Sequence, residues 1–244
     1  QGWTATDTYE NGNHVGQELF GREKAIHRTS FEDAVNAKPP ILCPMVNYVV
    51  RTHIKADVPR RKGEDYRPSE LQKVIQHQAR DKMAVEMLAN HRDEYTGIKF
   101  SEQNSVFYCV GVKHAETMAE KLNEKFGAGY AVSVSGETPK DELENIMKRY
   151  ADPKDPLKAI TNADLLIEGW DAPCTSLCFM LRPTKSPILA EQTGGRAMRL
   201  DPDNPKKVAY IMTFWDDNMP DMVTFGEVAG GYYMGLNQEQ DVMP

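Results

Sequence analysis

The chain has 244 residues, 40% hydrophobic and 27% charged, with a formal charge of −7, enough to bury a core as one large domain or one and a half ordinary ones. No run approaches the roughly 18–20 apolar residues of a membrane helix and no basic-then-apolar leader opens the chain, so the cytoplasm is the expected compartment. The negative balance excludes a protein that coats nucleic acid by bulk charge, although it leaves room for a localised groove.

In chain order, Ile41–Ile54 (ILCPMVNYVVRTHI) reads as a strand leading into a domain, and residues 57–68 (DVPRRKGEDYRP) as a charged, mobile loop. A polar helical run follows from Ser69 to His91, with Leu71, Val74, Ile75, Val85 and Leu88 as its core contacts. Ser105–Val112 (SVFYCVGV) is apolar on both faces, as a central parallel strand should be. The next run, KHAETMAEKLNEKFG, sets Ala115, Met118, Ala119, Leu122 and Phe126 at helical spacing and ends on Gly127 as a stop. YAVSVSG is a strand with its exit loop. A second helix begins with Thr138 as cap, Pro139 at the first helical position and Asp141 where a capping box wants an acid; Leu143, Ile146, Met147 and Tyr150 form its buried stripe. LKAIT and SLCFML are strands, PILAEQTGGRAMRL a helix and KVAYIMTF the last strand. Strands interleaved with helices imply βαβ units, hence an α/β fold with a doubly wound parallel sheet. The glycine-rich stretch after residue 217 carries no assignable element.

The four cysteines are too scattered for a disulfide framework. Cys174 and Cys178 lack a second Cys/His pair at zinc spacing, so no metal site is expected. The acidic pair in WDDN, residues 215–218, reads as a turn or helix cap. Ligands of open α/β sheets bind beyond the carboxyl ends of the strands, which directs attention to the loops there. Ile160–Pro173 (ITNADLLIEGWDAP) sets Gly169 two positions before Asp171. A glycine lets the backbone approach a phosphate; an aspartate can accept from a ribose hydroxyl or hold an arginine. In EQTGGRAMRL, the i, i+3 spacing puts Arg196 and Arg199 on one helical face, where planar guanidinium forks can clamp phosphate oxygens. Taken singly, the first is an ordinary turn with an Asp cap and the second a solvated helix face.

Together and in this order, SVFYCVGV, ITNADLLIEGWDAP and QTGGRAMR resemble motifs IV, V and VI of the superfamily-two helicases and translocases. GWTATD, Gly2 to Asp7, resembles motif III, with Asp7 where proline is often found. The resemblance runs from Gln1 to about Asp217, and a motif VI led by Gln192 is nearer the type I and type III restriction-enzyme translocases and the repair helicases than the DEAD-box branch. It implies a remnant of a first RecA-like domain at residues 1–40, a second RecA-like (helicase C-terminal) domain at 41–217, and a tail of uncertain structure at 218–244.

By the same resemblance Arg196 and Arg199 are arginine fingers for the γ-phosphate of ATP, and Gly169, Asp171, Gln192 and Gly195 line the nucleotide site. Thr161, Asn162, Ser135 and Gly136 would touch a nucleic-acid backbone, while Thr4, Ala5 and Thr6 would couple nucleotide state to domain closure. No G-x-x-x-x-G-K-[ST] stretch occurs and no Asp-Glu box precedes Gly2. The chain therefore reads as a fragment, inactive alone, that supplies half of a site whose ATP and Mg2+ are held mainly by a missing first domain. Implied partners are nucleic acid, DNA ahead of RNA, and subunits of a restriction or repair complex. The alternative is a non-catalytic RecA-like module that binds nucleic acid or protein. For Trp170, Tyr232 and Tyr233, core packing or an interdomain contact ranks above base stacking.

Overall fold

Among the described residues seven strands form one sheet: β1 (Met45–Lys55), β2 (Asn104–Tyr108), β3 (Ala131–Val134), β4 (Ala159–Asn162), β5 (Thr175–Met180), β6 (Ala209–Asp217) and β7 (Gln238–Asp241). Their spatial order is β3-β4-β2-β5-β6-β1-β7, and every pairing is parallel. The helices are α1 (Phe31–Asn36), α2 (Pro68–Val74), α3 (His77–Asn90), α4 (Val112–Phe126), α5 (Lys140–Ala151), α6 (Pro187–Ala197) and α7 (Phe225–Val228). This computed structural model describes residues 29–56, 58–59, 64–74, 77–163, 166, 170–217, 219, 221–229 and 238–241. Among them, no helix is long and apolar enough to cross a membrane.

The strands are apolar on both faces because both faces are covered. Phe107 of β2, Leu177 and Phe179 of β5, and Tyr210, Met212 and Phe214 of β6 point into a core closed by α3 and α4. Their neighbours Val106, Tyr108, Cys178, Met180 and Ile211 point the other way, into a core closed by α5, α6 and α7. Phe107 and Phe179 stack with ring centroids 4.3 Å apart, and each such buried ring contributes about 1.5–3 kcal/mol of burial free energy. A smaller cluster of Ala56, Tyr66, Leu71, Val110, Met219 and Met222 forms a third apolar group.

Several local expectations are corrected. Helix α5 begins at Lys140 with Pro139 as its N-cap. The Thr138 hydroxyl accepts instead from the Ser135 N–H at 2.9 Å, because the exit turn of β3 has a backbone donor to satisfy. The polar run before β2 is helical on either side of residues 75–76, which lie outside the described residues, and α3 buries charge as well as apolar side chains: Arg80 and Asp81 are fully buried beside Leu88. Val74 and Ile75 lie outside the side chains described. The 57–68 segment is tied down at its end, where the Asp65 carboxylate accepts from the Thr184 hydroxyl at 2.6 Å and the Lys185 N–H at 2.7 Å. Asp216 and Asp217 close strand β6 and make neither a turn nor a cap. The tail contributes α7, capped by Thr224 and Glu227, and β7 along β1.

The paired glycines of α6 separate by role. A Cβ on Gly194 would lie 2.2 Å from the buried Phe225 ring, whereas one on Gly195 meets nothing within 4 Å. Gly194→Ala is expected to cost about 1–3 kcal/mol in urea unfolding through overpacking. Gly195→Ala should be neutral or add up to about 1 kcal/mol by helix propensity; equal effects would refute the packing account.

Candidate functional site

Helix α6 starts where Ser186 accepts the Leu189 N–H at 3.2 Å and Pro187 takes the first turn. It then runs back across the face of the sheet for about 16 Å, its 11 residues rising ~1.5 Å each. The Cys43 N–H donates to the Met198 carbonyl at 2.9 Å, and Leu42 bridges Arg199. Strands β1 and β6 begin together at Met45 and Ala209, so Arg199 lies at the amino edge of the sheet. That corrects two expectations: α6 travels antiparallel to the strands and delivers its end to the amino edge, and it stops at Ala197, so only Arg196 is helical while Arg199 follows the Met198 cap in an extended bridge to Leu42.

There the arginines converge. Arg196 Nη1 donates to the Trp170 carbonyl at 2.8 Å, and Arg199 Nη1 donates to the same oxygen at 3.0 Å. Arg199 also pairs with Asp171; the arginine side chain is 34% exposed and the carboxylate 70%. Both guanidinium groups thus meet at a partly solvent-facing edge, Arg199 braced by Asp171. Trp170 itself is buried in the core, its indole N–H donating to the Leu166 carbonyl. This turns its backbone carbonyl into the shared acceptor.

The loop from β4 to β5 thus joins the two edges. At the carboxyl edge, Asn162 Oδ1 accepts the Leu166 N–H at 3.2 Å and the Tyr108 hydroxyl donates to the Leu166 carbonyl at 3.1 Å. At the amino edge, Lys207 Nζ donates to the Pro173 carbonyl at 2.6 Å and to the Arg199 carbonyl at 2.7 Å. Lys207 is 3% exposed, and burial draws its ammonium below the ordinary lysine range, an effect partly opposed by nearby groups including Asp201. Lys207 and the Trp170 carbonyl escaped the sequence reading. The lysine passes there as the first residue of KVAYIMTF, and a backbone acceptor leaves no trace in residue type.

The other candidates are distributed as follows. Gln192 sits half-buried one turn before Arg196, and Gly195 adjoins that arginine. Thr161 and Asn162 are buried at the end of β4, where Thr161 donates to the Ala115 carbonyl at 2.7 Å and Asn162 Nδ2 to the Phe107 carbonyl at 3.1 Å. Thr161 thus ties β4 to helix α4, and Asn162 serves the sheet and its exit loop. Ser135 and Gly136 form the exit turn of β3, with Gly136 exposed. Gly169, Thr4, Ala5 and Thr6 lie outside the described residues, as do Tyr232 and Tyr233.

Residues 81–201 match the family described as the helicase conserved C-terminal domain. A 51.5 kDa protein of a Lactococcus phage is 34% identical over 98 residues, which is 40% of this chain and 21% of the phage protein. The type I restriction enzyme EcoKI endonuclease subunit of Escherichia coli K12 is 31% identical over 110 residues, 41% of this chain and 9% of that subunit. Among solved structures, a fragment described as an HsdR subunit of a type I restriction enzyme from Vibrio vulnificus YJ016 covers 95% of this chain and 42% of its own length. It superposes with a TM-score of 0.67 at 21% identity. The matched segments of the curated relatives are thus a small part of each. With the parallel sheet, these matches show a RecA-like fold whose residues 81–201 match the helicase conserved C-terminal domain.

Proposed function

We propose that this chain is the carboxyl-side part of an ATP-dependent DNA translocase or helicase of the type I restriction kind. Arg196 and Arg199 are its arginine fingers. The observation that carries the reading is the convergence of both guanidinium groups on the Trp170 carbonyl at a solvent-facing edge, with Arg199 braced by Asp171. A fork held in place stabilises charge developing on a transferring phosphoryl group, whereas a flexible cation would have to be ordered first. Gln192, Gly195 and Gly169 complete the nucleotide wall. The converging side chains are two guanidinium groups, and no group of three His, Cys, Asp or Glu forms among the described residues. This pair suits phosphate oxygens and not a divalent cation, so the magnesium accompanying ATP would be held by a first RecA-like domain.

The turn at Ser135 and Gly136 and the ends of β2 and β4 supply the nucleic-acid edge, through backbone contacts that carry little sequence information. The restriction-enzyme relatives favour DNA as the polymer and a restriction complex as the setting. The compartment on this reading is the cytoplasm. Residues 1–40, with Thr4, Ala5 and Thr6, would belong to the first domain and link nucleotide state to closure.

The rival reading is a non-catalytic module that binds nucleic acid or protein, and it draws on the fact that Arg199 already has a carboxylate partner within the chain. ATP hydrolysis decides between them, measured on the chain extended upstream through a phosphate-loop half, with and without single-stranded and duplex DNA and RNA. Polymer-stimulated turnover supports the motor and names its polymer. Absence of turnover in a folded protein supports the module. The present chain alone is expected to show no appreciable hydrolysis.

A further inference from the structure

We infer that Lys207 is a positioning residue of this site, whose ammonium closes a ring of contacts that holds Arg199 by its backbone and its side chain at once. The ring runs from the Arg199 carbonyl to Lys207 Nζ, on to the Pro173 carbonyl, back along the chain to Asp171 and Trp170, and returns through the Arg199 guanidinium. Lys207 thus ties together the two segments, residues 170–173 and the chain just past α6, that must stay in register if the guanidinium is to meet a phosphate.

Burying an ammonium is costly unless its hydrogen bonds are well satisfied. Among the described residues Lys207 forms no ion pair with a carboxylate; its partners are the two carbonyls, at 2.6 and 2.7 Å. A methionine would fill the same space without the desolvation cost, so packing alone gives no reason for a charge here. Spanning two carbonyls does: both are acceptors, and only a donor with more than one hydrogen can tie them together. The turn from Asp201 to Lys207 brings the lysine back under the end of α6 immediately before β6. This side chain thereby determines how far Arg199, just past the end of α6, stands from residues 170–173.

The inference rests on the reading of Arg199 as a phosphate-facing arginine, and the test separates the two. In the enzyme that includes the first RecA-like domain, kcat and KM for ATP are measured for Lys207→Met, Arg199→Ala and the double variant, beside melting temperatures. We expect Lys207→Met to lower kcat at least about tenfold with KM within about threefold, and to have less than about a twofold further effect when Arg199 is already alanine. In the present chain, without nucleotide, amide exchange at Asp171, Ala172 and Cys174 should quicken at least about tenfold in Lys207→Met while the strand amides of β2 and β5 keep their protection. An unchanged kcat for Lys207→Met beside a large loss for Arg199→Ala overturns the role of Lys207 alone. Losses that multiply independently in the double variant overturn it too, since they mean that the lysine does not act through Arg199. No loss for Arg199→Ala overturns the reading beneath it. Should Lys207→Met not fold, Lys207→Gln tests the converse, since it keeps a two-hydrogen donor: kcat within about threefold of the parent supports the tie between the two carbonyls, and a larger loss that multiplies independently of Arg199→Ala overturns it.

Discussion

Alanine in place of Arg199 is expected to lower polymer-stimulated ATP turnover of the complete enzyme by about 10³-fold or more, the range found when an arginine finger is lost from a phosphoryl-transfer site. Arg196→Ala should fall in the same range, because both guanidinium groups share one acceptor and are held as a unit. Most of the loss should appear in kcat, since charge on the γ-phosphate develops in the transition state. Arg199→Lys should not restore it: an ammonium cannot face Asp171 and the Trp170 carbonyl with one side of a fork and a phosphate with the other. Steady-state hydrolysis at saturating ATP and DNA reads the effect. Variants that keep turnover within about tenfold of the parent would remove the fingers from the mechanism.

The second large effect is on stability. Arg80 of α3 is fully buried, donates to the Leu181 carbonyl at 2.6 Å and pairs with Asp216, which is also fully buried and accepts from the Thr52 hydroxyl. Burial draws the guanidinium below its ordinary range while the Asp216 charge opposes that shift. Asp216→Ala leaves an uncompensated buried cation and should cost about 3–5 kcal/mol. Replacing both partners by apolar residues of similar volume, Arg80→Met with Asp216→Leu, should recover most of it, because the pair's own desolvation penalty vanishes with it. Urea unfolding of the three proteins settles the matter. A loss below about 1 kcal/mol for Asp216→Ala would show that water or a relaxed Arg80 takes the charge.

The central strands were legible in the residues because burial on both faces writes uninterrupted apolar runs, as in SVFYCVGV and KVAYIMTF. The amphipathic helix α4 was equally legible, down to Gly127, whose φ of +110° suits a residue without Cβ. Charged residues in the interior were not. Arg80, Asp81, Asp216 and Lys207 look like solvated positions in a linear reading, and only the partners that meet them in space explain their burial. Asp81, for instance, accepts from His114 at 2.8 Å and Lys121 at 2.7 Å across from α4. The motif residues were identifiable by type and spacing, but their edge of the sheet was not. Arg196 and Arg199 meet on the Trp170 carbonyl although the helix ends between them, and the direction of the helix, a tertiary property, decides which end of the strands they reach. Gly194 shows the same limit: its need for close approach arises from Phe225, 31 positions away.

The position of β1 in the sheet bears on how the chain is made. Both of its neighbours come much later in the chain: Met45 pairs with Ala209, 164 positions on, and Tyr48 with Gln238. At ribosomal rates of about 5–20 residues per second, β1 waits roughly 8–33 s before its first partner is synthesised. Throughout that interval Val46, Tyr48 and Val50, all buried in the finished sheet, belong to a strand without an edge to join, open to the wrong partner. Nascent-chain proteolysis should find β1 unprotected until residues beyond Asp217 clear the exit tunnel, and the chain's dependence on chaperones should be concentrated in that interval.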